Sequence, residues 1–334
     1  MENMVARLVR AHLGDRADGV LAQVSVDPAA DTPGEAMATR SAVAMALTLC
    51  LFDDLLARVP TAATYVAGRQ AAGERICFDH GAIRTIRFAA GPTGALPAGE
   101  AAFTRLLAPL GYEMAAVYPL PALRMTGRAW RHRDHPETIP QFFVSELHVD
   151  QFDDDFADVA QRIFGASRDP LDEAAHAFLR AIEQGPAPFD MAAAALPALV
   201  AAFGRQHPLP TVADYEALRA QSAEAAWIAT EGNAFNHATD RVADVDAVAA
   251  ELRALGQPMK ERVEVSASGR VRQTAFRADT VVRTLGGGVG PTECAVPGSF
   301  YEFITRAVDP ATGRLDLGFD SGNATGIFAM TRGA

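Results

Sequence analysis

The chain has 334 residues, 49% of them hydrophobic and 21% charged, which is enough to bury a large core in one or two domains. Its formal net charge of -11, with arginines dispersed along the chain, excludes the basic stripe of a nucleic-acid binder and a polybasic membrane patch. The 30 basic residues are 29 arginines and one lysine, Lys260, set in QPMKERVEV without a P-loop's glycines, so Schiff-base, pyridoxal-phosphate and phosphate-loop lysine chemistry is set aside.

The N-terminal stretch MENMVARLVRAHLGDRADG scatters charges through its length and does not read as a signal peptide, so the expected location is the cytoplasm. Residues 1–70 read as helical, with apolar positions recurring at three and four in RSAVAMALTLCLFDDLLARV. The longest apolar run there falls short of the roughly 20 residues of a membrane span. The period then changes. Over 71–150, short alternating segments separated by Gly and Pro predict strands at about 75–88, 112–119, 123–132 and 141–150, with a helix at AGEAAFTRLLAPLG: a βαβββ unit. Helical periodicity returns over 151–226, which reads as an insertion. Residues 227–334 predict βαβββ again and a C-terminal tail: a strand in WIATEGNAFNHATDRV, a helix in DVDAVAAELRALG, a strand pair with a Ser-Gly turn in RVEVSASGRVRQTAFRADTVVR, and a last strand in GSFYEFITRAV. The expected fold is α+β, two βαβββ modules forming a curved, barrel-like mixed sheet with added helical regions. Cys50, Cys77 and Cys294 form no CxxC pair and read as buried thiols rather than disulfides or zinc ligands. Nothing in the sequence specifies an oligomeric state.

The repeat places similar chemistry in both units. His80 opens the first and Glu146 closes it 66 residues later; His237 and Glu302 do the same 65 residues apart. HGAIR and HATDR each carry an arginine four residues after the histidine. Imidazoles and carboxylates from strands side by side in a curved sheet suit a divalent transition metal. Alternation along FDHGAIR puts Phe78, His80, Ala82 and Arg84 on one face and Asp79, Gly81 and Ile83 on the other. Arg84, about 13 Å along the strand from His80, is placed to grip the far carboxylate of a short diacid. Glu302 lies among Phe300, Tyr301, Phe303 and Ile304, where a carboxylate is costly unless paired or coordinating.

Two arrangements follow. His80, His237 and Glu302 alone form the two-His-one-carboxylate set of Fe(II) oxygenases, with positions left for a 2-oxo acid and O2. With Glu146 as a fourth ligand the set resembles a glyoxalase-type isomerase or lyase using Ni or Zn. His12, His132, His135, His176 and His207 read as structural, whereas His148, beside Glu146, reads as a cavity candidate. TLGGGVGP at 284–291 lacks a following GK[ST] and reads as a flexible loop with the place of a lid. Gln273 and Ser321 are expected to line the substrate site, Arg277 sharing the Gln273 face; Ser321 has no GxSxG context for a nucleophile.

FDHGAIRT, EGNAFNHATDRV, VRQTAFRADTVV and VPGSFYEFITR together resemble the DUF1338 family, associated with 2-oxoadipate dioxygenase/decarboxylase activity, within the vicinal oxygen chelate superfamily of paired βαβββ modules. The resemblance runs from about residue 70 to the C-terminus. It implies Fe(II) held by His80, His237 and Glu302, and Arg84 on a substrate carboxylate. It also implies conversion of 2-oxoadipate and O2 to 2-hydroxyglutarate and CO2 in lysine catabolism.

Overall fold

The computed structural model describes residues 2–30, 36–287 and 290–320. Four helices open the chain: α1 (Met4–Leu13), α2 (Ala17–Gln23), α3 (Arg40–Arg58) and α4 (Pro60–Ala71). Asn3 and Thr39 cap α1 and α3 by accepting from the N–H groups of Ala6 and Ala42, and Pro60 starts α4 where its missing N–H costs nothing. Most of α3 is buried on every side, which is why its text is apolar nearly throughout rather than in a stripe.

The first module is β1 (Phe78–Arg87), α5 (Ala101–Leu107), β2 (Tyr112–Leu120), β3 (Met125–His132) and β4 (Gln141–His148). Five helices follow: α6 (Asp154–Phe164), α7 (Glu173–Gln184), α8 (Phe189–Ala201), α9 (Val212–Gln221) and α10 (Ala223–Glu231). The second module is β5 (His237–Arg241), α11 (Val245–Ala254), β6 (Glu264–Val265) and β7 (Val271–Ala275), then a separate hairpin, β8 (Thr280–Leu285) and β9 (Thr292–Pro297), and finally β10 (Phe300–Arg306).

Eight strands form one curled half-barrel sheet in the order β2-β3-β4-β1-β5-β10-β7-β6. In each module the opening and closing strands pair in parallel, β1 with β4 and β5 with β10, and the others pair antiparallel. The modules meet where β1 runs antiparallel to β5, so the sheet has the same pairing pattern from either edge. This is the expected paired βαβββ architecture.

Alternation along the strands divides the core. Ile83, Phe142, Val144, Ala238, Tyr301 and Phe303 belong to the large core shared with α1, α3 and α4, where Phe52 and Tyr65 pack edge-on against Tyr301 and Phe303 respectively. Gly81 faces this side under the Phe235 ring, so close that a Cβ would lie 2.3 Å from it, and only glycine fits. On the concave side, Ile86 and Leu147 join Trp227 of α10 and the apolar faces of α6 and α9, closing one end of the half-barrel.

Three local expectations change. Trp227–Glu231, read as the start of a strand, is the end of helix α10: Ser222 caps it by accepting from the Ala225 N–H, Gly232 ends it at φ 69°, and burial all round erases the helical stripe. The TVVR segment belongs to the β8–β9 hairpin, and so do the first residues of TLGGGVGP, Thr284 and Leu285. Gly286 exchanges backbone bonds with Pro210 and Val212, and Arg283 makes two hydrogen bonds to Glu231. The described part of the hairpin is thus fastened to the helical segment rather than laid over the histidines. Finally, a bulge between Phe78 and His80 breaks the strict alternation of β1.

Candidate metal centre

The site lies where the two modules abut. His80 on β1 pairs with Thr239 on β5, and Thr239 with Glu302 on β10, so the three stand in one row; His237 stands one step along, opposite Ala82 and Phe300. The Nε2 atoms of His80 and His237 are 3.4 Å apart, and Glu302 Oε2 is 3.4 Å from the first and 3.3 Å from the second. All three residues are buried. They are the one His/Cys/Asp/Glu group of metal-holding geometry among the described residues.

The donors fit an ion. A near-equilateral triangle of this size suits a cation about 2.1 Å from each atom. Glu302 Oε1 is buried with no hydrogen-bond partner among the described residues, a costly state that a cation relieves. Burial, with the positive charges of His80 and Arg84, pushes His237 down to about 3, so its ring is neutral and its lone pair available. Burial pushes the Glu302 carboxyl up, but His237, His80 and the Thr239 hydroxyl, which donates to Oε2 at 2.9 Å, hold it below its ordinary value. At His80 burial favours the neutral ring, but the carboxylates of Asp79 and Glu302 prevail and raise its pKa. A bound cation competes with that proton. His237 Nδ1 lies 3.0 Å from the Asn236 amide nitrogen; with the amide turned over, Asn236 Oδ1, otherwise without a partner among the described residues, accepts the Nδ1–H and Nε2 faces the triangle.

Glu146 is not part of this group. On β4 the concave positions are those paired with His80, Ala82 and Arg84, namely Gln141, Phe143 and Ser145; Glu146 pairs with Thr85 and faces the other side. There its Oε2 accepts from the Glu100 N–H at 2.8 Å and its Oε1 is 3.4 Å from both Arg87 and Arg128. Equal spacing in sequence had suggested an equivalence that the register denies. As Thr239 pairs with Glu302, so Ala82 pairs with Phe143: Phe143 occupies the first module's counterpart of the carboxylate position. His148 stands on the Glu146 side, bonded to Thr126.

Arg84 is fully buried on the concave side, level with Ser145, its guanidinium 4.9 Å over the Trp227 ring. Gln273 lines the same cavity as His80, His237 and Glu302. Ser321 lies outside the described residues, but Phe319 and Asp320, just before it, line the cavity. Arg277 is exposed, and Lys260 is ion-paired with Glu264. Residues not anticipated are Asp79, Thr239, Asn236, Arg306 and Phe319. The first three adjoin the histidines in FDH and NHAT, and Arg306 is four residues beyond Glu302 on the same face, so strand parity could have found it. Nothing in the sequence singled out Phe319.

These features define a glyoxalase-like, paired βαβββ fold with a candidate metal site at the junction of its modules. The 2-oxoadipate dioxygenase/decarboxylase family model matches residues 51–314, and the chain belongs to that family. A solved structure described as a glyoxalase-superfamily protein from Ralstonia eutropha JMP134 is 50% identical, with a TM-score of 0.90, over 95% of this chain and 98% of that one. Hydroxyglutarate synthase from Oryza sativa, solved with 2-oxoadipate, shares the fold at a TM-score of 0.68 and 22% identity, over 90% of this chain and 96% of that one. The chloroplastic 2-oxoadipate dioxygenase/decarboxylase of Arabidopsis thaliana is 27% identical over 58% of this chain; the chain spans about half of that relative's length. Among the described residues no helix is long and apolar enough to cross a membrane.

Proposed function

We propose that the chain is an Fe(II)-dependent dioxygenase/decarboxylase that converts a 2-oxo diacid, 2-oxoadipate in the first instance, with O2 to a 2-hydroxy acid and CO2. The observation that carries this reading is the count of donors: two imidazoles and one carboxylate converge, and Phe143 stands where a fourth ligand would come from. His80, His237 and Glu302 would hold Fe(II), which would supply the redox chemistry for a reaction with O2.

The remaining work falls to the chain. Arg84 holds the distal carboxylate with a planar, permanently charged fork, kept in place by Trp227, so that the carbon chain lies in one direction across the cavity. Ala82 and Phe143, backed by Ala129, give that cavity an apolar wall that limits water around the reacting carbons. Gln273 offers a polar contact on the opposite wall. The four-ligand isomerase reading loses its fourth donor, because Glu146 is committed to Glu100, Arg87 and Arg128.

The test is anaerobic reconstitution with Fe(II), then O2 uptake and CO2 release with 2-oxoadipate, 2-oxoglutarate and a 2-oxo monoacid. Uptake coupled to CO2 release, strongest with a diacid, is expected. O2-independent turnover, or silence across the whole panel, sinks the proposal.

A further inference from the structure

We propose that Asp79 is the positioning residue for His80, and that Arg306 couples it to the segment Asp316–Phe319 at the mouth of the cavity. The inference rests on the metal reading above.

The bulge in β1 is the starting point. It turns Asp79 toward the side of His80, against the alternation of an ideal strand, and brings Asp79 Oδ1 to 2.8 Å from His80 Nδ1. With Nδ1–H donated to this carboxylate, the ring presents the Nε2 lone pair to Glu302 and His237, and its rotation is fixed. Asp79 is itself locked. Arg306, with a fully buried side chain, donates from Nε to both carboxylate oxygens at 3.1 and 2.9 Å and from Nη2 to Oδ1 at 2.9 Å.

The third nitrogen of Arg306 turns the other way. Nη1 donates to the carbonyl oxygens of Asp316 and Gly318, both at 2.8 Å. One planar fork therefore joins a buried carboxylate to two carbonyls of the closing segment, which a single ammonium could not match. The next residue, Phe319, sets its ring edge-on to His80 with centroids 4.8 Å apart, and its N–H donates to the Tyr118 hydroxyl at 3.0 Å. The segment thus reaches His80 twice, through the ring of Phe319 and through Arg306 and Asp79. Phe319 lines the cavity together with His80, His237 and Glu302, so a molecule bound there meets a segment tied to a candidate metal ligand.

The experiment measures affinity for Co(II) alone, by competition with a chromogenic chelator, together with the Co(II) visible spectrum and hydrogen exchange of residues 316–319. It uses the full chain and the variants Asp79→Ala, Asp79→Asn and Arg306→Gln. Asp79→Ala should bind Co(II) about 10- to 100-fold more weakly and with an altered spectrum. Asp79→Asn, which keeps an acceptor, should fall in between, and it carries the test if the alanine variant does not fold. Arg306→Gln should both weaken Co(II) binding and speed exchange at 316–319. Folded Asp79 variants with unchanged Co(II) affinity and spectrum would overturn the positioning role. Faster exchange in Arg306→Gln without loss of Co(II) affinity would overturn the coupling. Failure of the unaltered chain to bind Co(II) would instead remove the metal reading on which both rest.

Discussion

The two modules share a backbone plan but not a chemistry. His80 and His237 stand at matching places, each on the opening strand one step from the seam between modules. On the closing strands the match ends: β10 offers Glu302 where β4 offers Phe143. The paired arginines diverge as well. Arg84 is buried over Trp227 on the concave side, whereas Arg241 is 3.5 Å from Asp79 and donates to the Glu137 carbonyl at the other end. The repeated plan thus supplies a symmetric frame, and asymmetry at a few concave positions gives the second module two of the three donors and the first the apolar wall. A carboxylate three residues away from Phe143 cannot compensate, because alternation puts it through the sheet.

The sharpest way to break this comparison is to neutralise each closing-strand glutamate. Glu302→Gln should lose metal affinity, and any O2-dependent turnover with it, by more than about 100-fold, since it removes a ligand rather than a ligand's support. Glu146→Gln should keep metal affinity and lower unfolding stability by about 1–3 kcal/mol, since it weakens a buried acceptor for the Glu100 N–H and removes a charge beside Arg87 and Arg128. Equal loss of metal in both variants would restore Glu146 as a ligand. A second substitution imposes the missing symmetry: Phe143→Glu adds a carboxylate at the counterpart of Glu302. Metal should still bind, and the metal-free protein should be destabilised by an unpaired buried charge. O2 uptake should fall at least about tenfold as an open position fills; unchanged uptake would show that Phe143 does not govern the donor count.

How much of this was legible beforehand follows the physics of each signal. The fold was readable because a change from 3.6 to 2 in apolar period, repeated in order, survives without an alignment. His80, His237 and Glu302 were readable because polar groups stood in apolar strands at repeated spacings. Glu146 was misread for the same reason: spacing along a chain says nothing about register, and three residues decide the face of a strand. The second half of α10, Trp227–Glu231, reads as strand because a fully buried helix carries no stripe. Asp79 was put on the wrong face because a bulge is a property of pairing between strands, invisible in FDHGAIR alone.

The arginine pair gives a smaller, more specific contrast. Arg84→Lys should raise KM for a diacid about 10- to 100-fold, the worth of a charged bidentate contact, and change KM for a monoacid little. Arg241→Lys should leave both within about threefold, because its guanidinium serves Asp79 and a backbone carbonyl. A diacid effect of the same size at Arg241 would place the carboxylate grip at the other end of the cavity.

The last contrast lies on the convex side, where Ile83 of β1 corresponds to Asp240 of β5. Burial pushes the Asp240 carboxyl up to about 6, although the Tyr65 hydroxyl donates to it at 2.8 Å and the Cys77 N–H at 3.0 Å. An unfolded aspartate titrates near 3.9. The native state therefore binds this proton more tightly than the unfolded chain does. The stabilisation is fully present below about pH 4 and is lost as pH rises through about 6, by roughly 2–3 kcal/mol in all. Asp240→Asn has no proton to lose, so urea unfolding at pH 4.5 and 7.5 should show the unaltered chain weakening relative to the variant at the higher pH. Parallel pH dependence of the two would mean that Tyr65 and Cys77 fully offset the burial of the charge.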